Sequence, residues 1–304
     1  MTRFTAATAL PVVSLLASQA AAWGNLGHET VGYVASNFVS AKTKQWAQDI
    51  LGDDSEDYLG AVATWADSFK YTDEGEFSSG LHYIDAEDDP PNSCNVDFDR
   101  DCPEDGCVVS AIANYTSRVQ DTSLDSEQTS QALKFIVHFI GDIHQPLHDE
   151  AAEIGGNTIN VTFDGEETNL HSYAQSWAAN LTGSIKNGKY STASKKWLAN
   201  IDIDDAQAGA MIMASDANSH VCSTVMPDGV EGIEGDELYP EYYNKSIGVI
   251  EMMIAKAGYR LAAWLDMIAT GETKLTRTFD ATSSPAPPLR WRTRLSSTMA
   301  RAVS

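Results

Sequence analysis

His138 and Asp142 stand four residues apart in the segment Phe135-Ile-Val-His-Phe-Ile-Gly-Asp-Ile-His-Gln-Pro-Leu-His148, a spacing that puts both on one face of a helix. Apolar residues flank that face on nearly every side, so the pair is expected to be buried. A buried carboxylate needs a strong partner. Either the histidine alone supplies it through a hydrogen bond, or both side chains hold a metal ion, and for this pair alone the two readings carry equal weight. His148 tilts the balance to metal, because Pro146 ends the helix and lets His148 fold back from the following loop.

Further candidates are His28, Asp67 at the end of an earlier helix, His82 within Gly80-Leu-His-Tyr-Ile-Asp85, and His171 within Asn169-Leu-His. Taken singly, each is more often a satisfied structural residue than a ligand. Their combination gains weight from the N-terminus. Residues 1–22 carry Arg3, an apolar run through Leu10, Val12, Val13, Leu15 and Leu16, and small residues at Ala20 and Ala22, the pattern of a secretory signal peptide. Cleavage after Ala22 would make Trp23 the first residue. A free α-amine, with a reference pKa of about 7.7–8.0, deprotonates more readily than a lysine and can serve as a nitrogen ligand.

The elements that must position these residues read as mainly helical. Helix spacing of apolar residues recurs over 56–69 (Leu59, Val62, Ala63, Ala66, Phe69) and over 129–145 (Leu133, Ile136, Val137, Ile140). It is clearest in the C-terminal stretch from Tyr243 through Ile247, Ile250, Ile254, Ala257, Leu261 and Trp264 to Ile268, which predicts one long core-facing helix. Between Asp73 and Pro103 the richness in Gly, Pro, Asp and Ser predicts irregular chain. Gly155-Gly156-Asn157 and Asp164-Gly165 bracket the alternating Thr158 to Phe163, which predicts a small hairpin. No internal repeat is visible.

Charge limits the chemistry. The chain of 304 residues has a formal net charge of −23 and 43% hydrophobic residues, which excludes disorder and collagen-like sequence. Past the leader no apolar run reaches the 18 residues or so that a membrane span needs. Residues 271–304 form a basic, proline-containing tail that is expected to be disordered. The remaining residues, 23–270, hold 41 acidic and 13 basic side chains, a net charge of −28. Such a body repels polyanions, and a binding protein built on a basic groove is disfavoured. To act on phosphate-bearing substrates it would need bound metal or a low working pH.

Four cysteines in a secreted chain imply two disulfides. Of the three pairings the sequence favours Cys102–Cys107, across a short Pro/Asp/Gly loop, with Cys94–Cys222 closing a long excursion. A cysteine zinc site is the lesser reading. Asn-X-Ser/Thr sequons at Asn114, Asn160, Asn180 and Asn244 are candidate glycosylation sites that agree with secretion.

The motifs together resemble a known family. Trp23-Gly-x-x-Gly-His28, Trp65-Ala-Asp67, Leu81-His-Tyr-Ile-Asp85, the segment from His138 to His148, Gly155-Gly-Asn157 and Asn169-Leu-His171 are similar to those of the secreted, zinc-dependent, single-strand-specific nucleases of fungi and plants, the nuclease S-one and P-one type. The resemblance covers residues 23–270. It implies a mainly α, single multi-helix domain of the zinc phospholipase C and P-one nuclease type with a small β-hairpin. It implies three zinc ions: one held by Asp67, His82, His138 and Asp142, a second by Trp23, His28 and a bridging Asp142, and a third by His148 and His171. The activity it implies is hydrolysis of single-stranded DNA and RNA to 5′-phosphate products, with 3′-nucleotidase activity, by a monomer. There two close zincs lower the pKa of a bridging water. In the same frame Asp85 is the carboxylate that orients water, Tyr83 and Ile154 flank an unpaired base, and Lys70 touches phosphate.

The chain departs from the family's pattern after His171. The family motif continues to a Trp-Asp whose aspartate completes the third zinc site, whereas here Ser172-Tyr-Ala-Gln-Ser-Trp177 follows and no carboxylate occurs before Asp202. Gln175 stands four residues after His171, and a neutral amide is a poor zinc ligand. A third zinc that binds weakly, and impaired turnover, are therefore expected. Two other readings stay open: a zinc phospholipase C-like phosphodiesterase, and a non-catalytic zinc-binding glycoprotein.

Overall fold

A computed structural model describes residues 23–175 and 193–275. The leader, Trp177, Asn180 and the tail beyond residue 275 lie outside the described residues. The protein is mostly helical, with helices α1 (Gly24–Ser36), α2 (Ala41–Leu51), α3 (Tyr58–Val62), α4 (Trp65–Phe69), α5 (Phe98–Asp101), α6 (Val108–Val119) and α7 (Ser126–Asp142). After them come strands β1 (Asn160–Phe163) and β2 (Glu166–Asn169) and helices α8 (Leu170–Gln175), α9 (Ala206–His220) and α10 (Glu241–Thr270).

The predicted C-terminal helix is the 30-residue α10. Its apolar stripe puts Ile250, Met253, Ile254, Ala257, Leu261, Trp264 and Leu265 into the main core beside Leu133, Phe135, Ile136, Phe139 and Ile140 of α7. Burial of so much apolar surface is what stabilises these helices. α1 was not expected from periodicity, since three glycines weaken its intrinsic preference, and it is held by packing against α10 and α3. There Gly258 admits the close approach: a Cβ on it would stand 2.4 Å from the Cβ and Cγ1 of Val34.

Residues 56–69 form two short helices rather than one. The break falls at Ala63-Thr64, where the Ala63 carbonyl turns to accept from His138 Nδ1 at 2.6 Å. The segment Asp73 to Pro103, expected to be irregular, contains a 3₁₀ turn at Glu76–His82 and the four-residue α5. α7 starts three residues earlier than its apolar pattern, capped by Asp125, which accepts from the Gln128 amide. The hairpin pairs β1 and β2 antiparallel, Asn160 opposite Asn169 and Phe163 opposite Glu166, around Asp164-Gly165, both with positive φ, as a two-residue turn requires. Disulfides join Cys94 to Cys222 and Cys102 to Cys107. No helix among the described residues is long and apolar enough to cross a membrane.

Candidate metal centre

The C-terminal end of α7, the start of α1, α4 and the 3₁₀ turn after it meet in the core. They bring Asp142, His138, His28, Asp67 and His82 together. His82 Nδ1 lies 2.9 Å from Asp142 Oδ2, and His138 Nε2 lies 3.1 Å from the same oxygen. The two ring nitrogens are 3.1 Å apart, and Asp67 Oδ1 stands 3.7 Å from the His138 nitrogen and 3.9 Å from that of His82. Ligands about 2.0–2.1 Å from a tetrahedral zinc stand roughly 3.3 Å from each other. The separations among these four side chains bracket that edge length. On its other side, Asp142 Oδ1 is 3.2 Å from His28 Nε2, so the one carboxylate faces both groups of ligands.

Ring orientation is set one layer out. With His138 Nδ1 donating to the Ala63 carbonyl, its Nε2 lone pair faces the cluster. His148 Nδ1 likewise donates to the His82 carbonyl at 2.8 Å, and His171 Nδ1 to the Gly155 carbonyl at 2.7 Å. Their Nε2 atoms face each other at 3.3 Å. Such carbonyl partners fix the tautomer that a metal needs. His28 stacks on His138 with ring centroids 4.0 Å apart. Trp23, fully buried, donates its indole N–H to the Gly141 carbonyl at 2.8 Å. Gly141 is required: a Cβ there would stand 2.8 Å from His28 Nδ1.

The charge states suit metal binding. Burial lowers the pKa of His28 and His171 and brings His82 to about 4 and His148 to about 3, so it favours the neutral ring that binds metal at all four. Burial also opposes charge on Asp142, but His138, His28 and His82 outweigh it and hold its carboxyl well below the usual range. Asp67 is lowered in the same way, with burial overcome by His138, His28 and the Lys70 ammonium. His138 is raised, because Asp142 and Asp67 outweigh its burial. Both nitrogens of His28, His82 Nε2, Asp67 Oδ2 and Asp142 Oδ1 are buried without a hydrogen-bond partner among the described residues. Buried polar atoms left unpaired in this way, with His28 Nε2 and Asp142 Oδ1 at ligand spacing of 3.2 Å, fit a metal site.

The remaining expected site residues sit around this centre. Lys70 is bonded to Asp67 Oδ1 at 2.8 Å, so its charge is engaged with a candidate ligand rather than free at the surface. Tyr83 and Asp85 are exposed and line a groove of about 520 Å³ with Phe77, Arg100 and Asp105. Ile154 is 71% exposed. It belongs to a left-handed turn in which Glu153, Ile154, Gly155 and Gly156 all have positive φ, a costly conformation for a β-branched residue. Gln175 lies in α8, beyond His171. Asn114, Asn160 and Asn244 are exposed.

Several residues that shape the site escaped sequence reasoning. His144 lies in the richest motif yet is no ligand: its Nδ1 donates to the Ile140 carbonyl and its Nε2 accepts from Arg260. Gly141 carried a signal, a glycine inside an apolar helical run. Asp149, fully buried with both carboxylate oxygens unpartnered, and Glu150 carried none.

A helical protein whose core is interrupted by converging imidazoles and carboxylates has the side-chain groups of a metal-site helical protein. Comparison with known proteins narrows the class. Residues 23–270 match the model of the family S1/P1 Nuclease. The chain is 55% identical over 265 residues to Nuclease S1 of Aspergillus oryzae (strain ATCC 42149 / RIB 40), covering 82% of this chain and 92% of that protein. It is 49% identical over 267 residues to Nuclease P1 of Penicillium citrinum, covering 82% and 99%, and 31% identical over 273 residues to Endonuclease 2 of Arabidopsis thaliana, covering 81% and 90%. The chain belongs to the S1/P1 nuclease family.

Proposed function

We propose that the protein is a secreted, zinc-dependent nuclease that hydrolyses single-stranded DNA and RNA to products with 5′-phosphates and also removes 3′-phosphates from nucleotides. The observation that carries this reading is the convergence of Asp67, His82, His138 and Asp142 at 2.9–3.9 Å in the core. Maturation after Ala22 frees the Trp23 amine beside His28, the catalytic domain spans 23–270, and the protein acts as a monomer.

Asp67, His82, His138 and Asp142 would hold one zinc, Trp23, His28 and Asp142 a second, and His148 with His171 a third that is weak for want of a carboxylate after His171. Zinc supplies positive charge for the phosphate and acidifies water at neutral or mildly acidic pH. That charge offsets the −28 of residues 23–270 where the phosphate docks. The chain's own residues set the stage: burial keeps the imidazoles unprotonated, and the three histidines around Asp142 keep it ionised. Asp85, at the groove mouth, accepts a proton or orients the attacking water. The exposed Tyr83 ring and Ile154 supply apolar faces for a base, available only when that base is unpaired.

The test is release of acid-soluble nucleotides from denatured and native DNA, and from RNA, by the mature protein at mildly acidic pH. Faster digestion of denatured DNA, with phosphate on the 5′ ends, is expected. Equal digestion of duplex, or hydrolysis of phosphatidylcholine without nuclease activity, overturns the reading.

A further inference from the structure

A second group of buried, unpaired oxygens lies away from the histidines. The Ile84 amide donates to the His148 carbonyl at 2.8 Å and the Ala151 amide to the Ala86 carbonyl at 3.2 Å, so the chain leading to Asp88 runs beside the chain holding Glu150. The carboxylates of Asp88 and Glu150 each place an oxygen within 4.8 Å of the other and of Cys94 Sγ. Cys94 is oxidised to Cys222 and offers no thiolate. From α9, Asn218 donates its Nδ2 to Asp88 Oδ2 at 3.1 Å and to the Asp149 carbonyl at 2.8 Å.

Asp88, Glu150 and Asn218 each have one satisfied and one unsatisfied polar atom. Asp88 Oδ2 also accepts from the Asn95 amide at 2.9 Å, and Glu150 Oε1 from the Ala152 amide at 2.8 Å. Asp88 Oδ1, Glu150 Oε2 and Asn218 Oδ1 are buried with no partner among the described residues. Glu150 is 1% exposed and turned to Asp88, and Asn218 is fully buried. No lysine or arginine among the described residues pairs with either carboxylate. The nearby Arg100 is forked onto Asp101 through Nε and Nη2. Two facing carboxylates with buried oxygens need either a counter-charge or a shared proton, and burial together with the neighbouring Asp88 pushes the Glu150 carboxyl up to about 8 when no cation is bound. A donor set of oxygens alone, without imidazole or thiolate, suits a hard cation with flexible coordination, calcium, rather than zinc.

We propose that Asp88 and Glu150, with Asn218 holding Asp88 through its Nδ2, form an oxygen-ligated calcium site, separate from the histidine centre, that ties the segment bearing Tyr83 and Asp85 to the segment bearing His148 and to α9. The site is structural: it holds two walls of the active site in register without touching substrate. The competing arrangement is a proton shared between the two carboxylates, which needs no metal.

The experiment uses the mature protein dialysed into calcium-free buffer at pH 7 with zinc saturating throughout, so that only calcium varies. Calcium is then titrated while the unfolding temperature is followed, and bound calcium is counted by plasma mass spectrometry after gel filtration. The expected results are one calcium retained per chain and, at about 100 times Kd, an upward shift of roughly 5–10 °C. The shift should fall below about 1 °C in Asp88→Asn and in Glu150→Gln. An equal shift in both variants would mean that calcium acts elsewhere and would overturn the proposal. No retained calcium, with Glu150→Gln raising the unfolding temperature, would establish the shared proton in its place. Should the variants fail to fold, the calcium count on the unaltered protein decides alone, zero refuting the site.

Discussion

Gly141→Ala tests the site without removing a ligand. The substitution adds one methyl group inside α7, where alanine is preferred to glycine by about 1 kcal/mol. By propensity alone it should stabilise the protein. The geometry says otherwise: the new Cβ would stand 2.8 Å from His28 Nδ1 and 3.1 Å from Cε1. The ring has little room to move, because it is stacked on His138 at 4.0 Å, and the Gly141 carbonyl also anchors the Trp23 indole. Relief of such overpacking costs about 1–3 kcal/mol, so the net change is a loss of roughly 0–2 kcal/mol. The larger effect falls on the metal. Displacing a ligand ring should weaken zinc binding about 10–100-fold, shared between His28 and its neighbour Trp23. The assay is zinc competition against a chromogenic chelator, read beside a urea titration of both proteins. Gly141→Ala with unaltered zinc affinity and raised stability would refute the placement of His28 as a ligand.

Four further outcomes follow from the same geometry. Replacing both Cys94 and Cys222 by alanine opens a loop of 128 residues and should cost about 5 kcal/mol in the chain-entropy account, against about 2 for the Cys102–Cys107 loop, measured by urea unfolding. Tyr83→Ala should raise KM for single-stranded DNA about 10–100-fold with little change in kcat, and a fall in kcat alone would argue against stacking. Burial, then Arg260, depresses the pKa of His144 well below its usual 6.5, so the unfolded chain takes up a proton below pH 6.5 that the folded one refuses. Stability is therefore lost as pH falls below 6.5, by up to about 1.4 kcal/mol per pH unit from this group, and His144→Gln should flatten the slope of the zinc-saturated protein by that amount. Gly258→Ala, with its Cβ 2.4 Å from Val34, should cost about 1–3 kcal/mol by prising α1 from α10, and an unchanged unfolding temperature would contradict that packing.

The sequence was legible where one physical signal dominates. α10 follows from its apolar steps of three and four, the hairpin from Asp164-Gly165 between alternating residues, and the burial of His138 and Asp142 from their apolar surroundings. Where a tertiary bond overrides local preference, the sequence is silent. The break between α3 and α4 exists because the Ala63 carbonyl serves His138, and no local feature of Ala63-Thr64 announces it. α1 carries His28 on a glycine-rich helix that only packing sustains. The left-handed turn that presents Ile154 and turns the Gly155 carbonyl toward His171 contains two non-glycine residues at positive φ, a conformation that composition does not foretell. The pairing of Asp88 with Glu150 depends on two chains meeting 62 residues apart in sequence.

The central claim is that the buried histidine and aspartate cluster is a zinc centre on which nuclease activity depends. The most direct test strips the mature protein of metal, then follows digestion of single-stranded DNA as zinc is returned in steps, with bound zinc counted at each step. No digestion is expected without metal, with activity appearing as the Asp142 ligand groups fill and the His148–His171 site filling last. Digestion that persists in the metal-free protein, or zinc bound tightly in Asp142→Asn at the same stoichiometry, would contradict it.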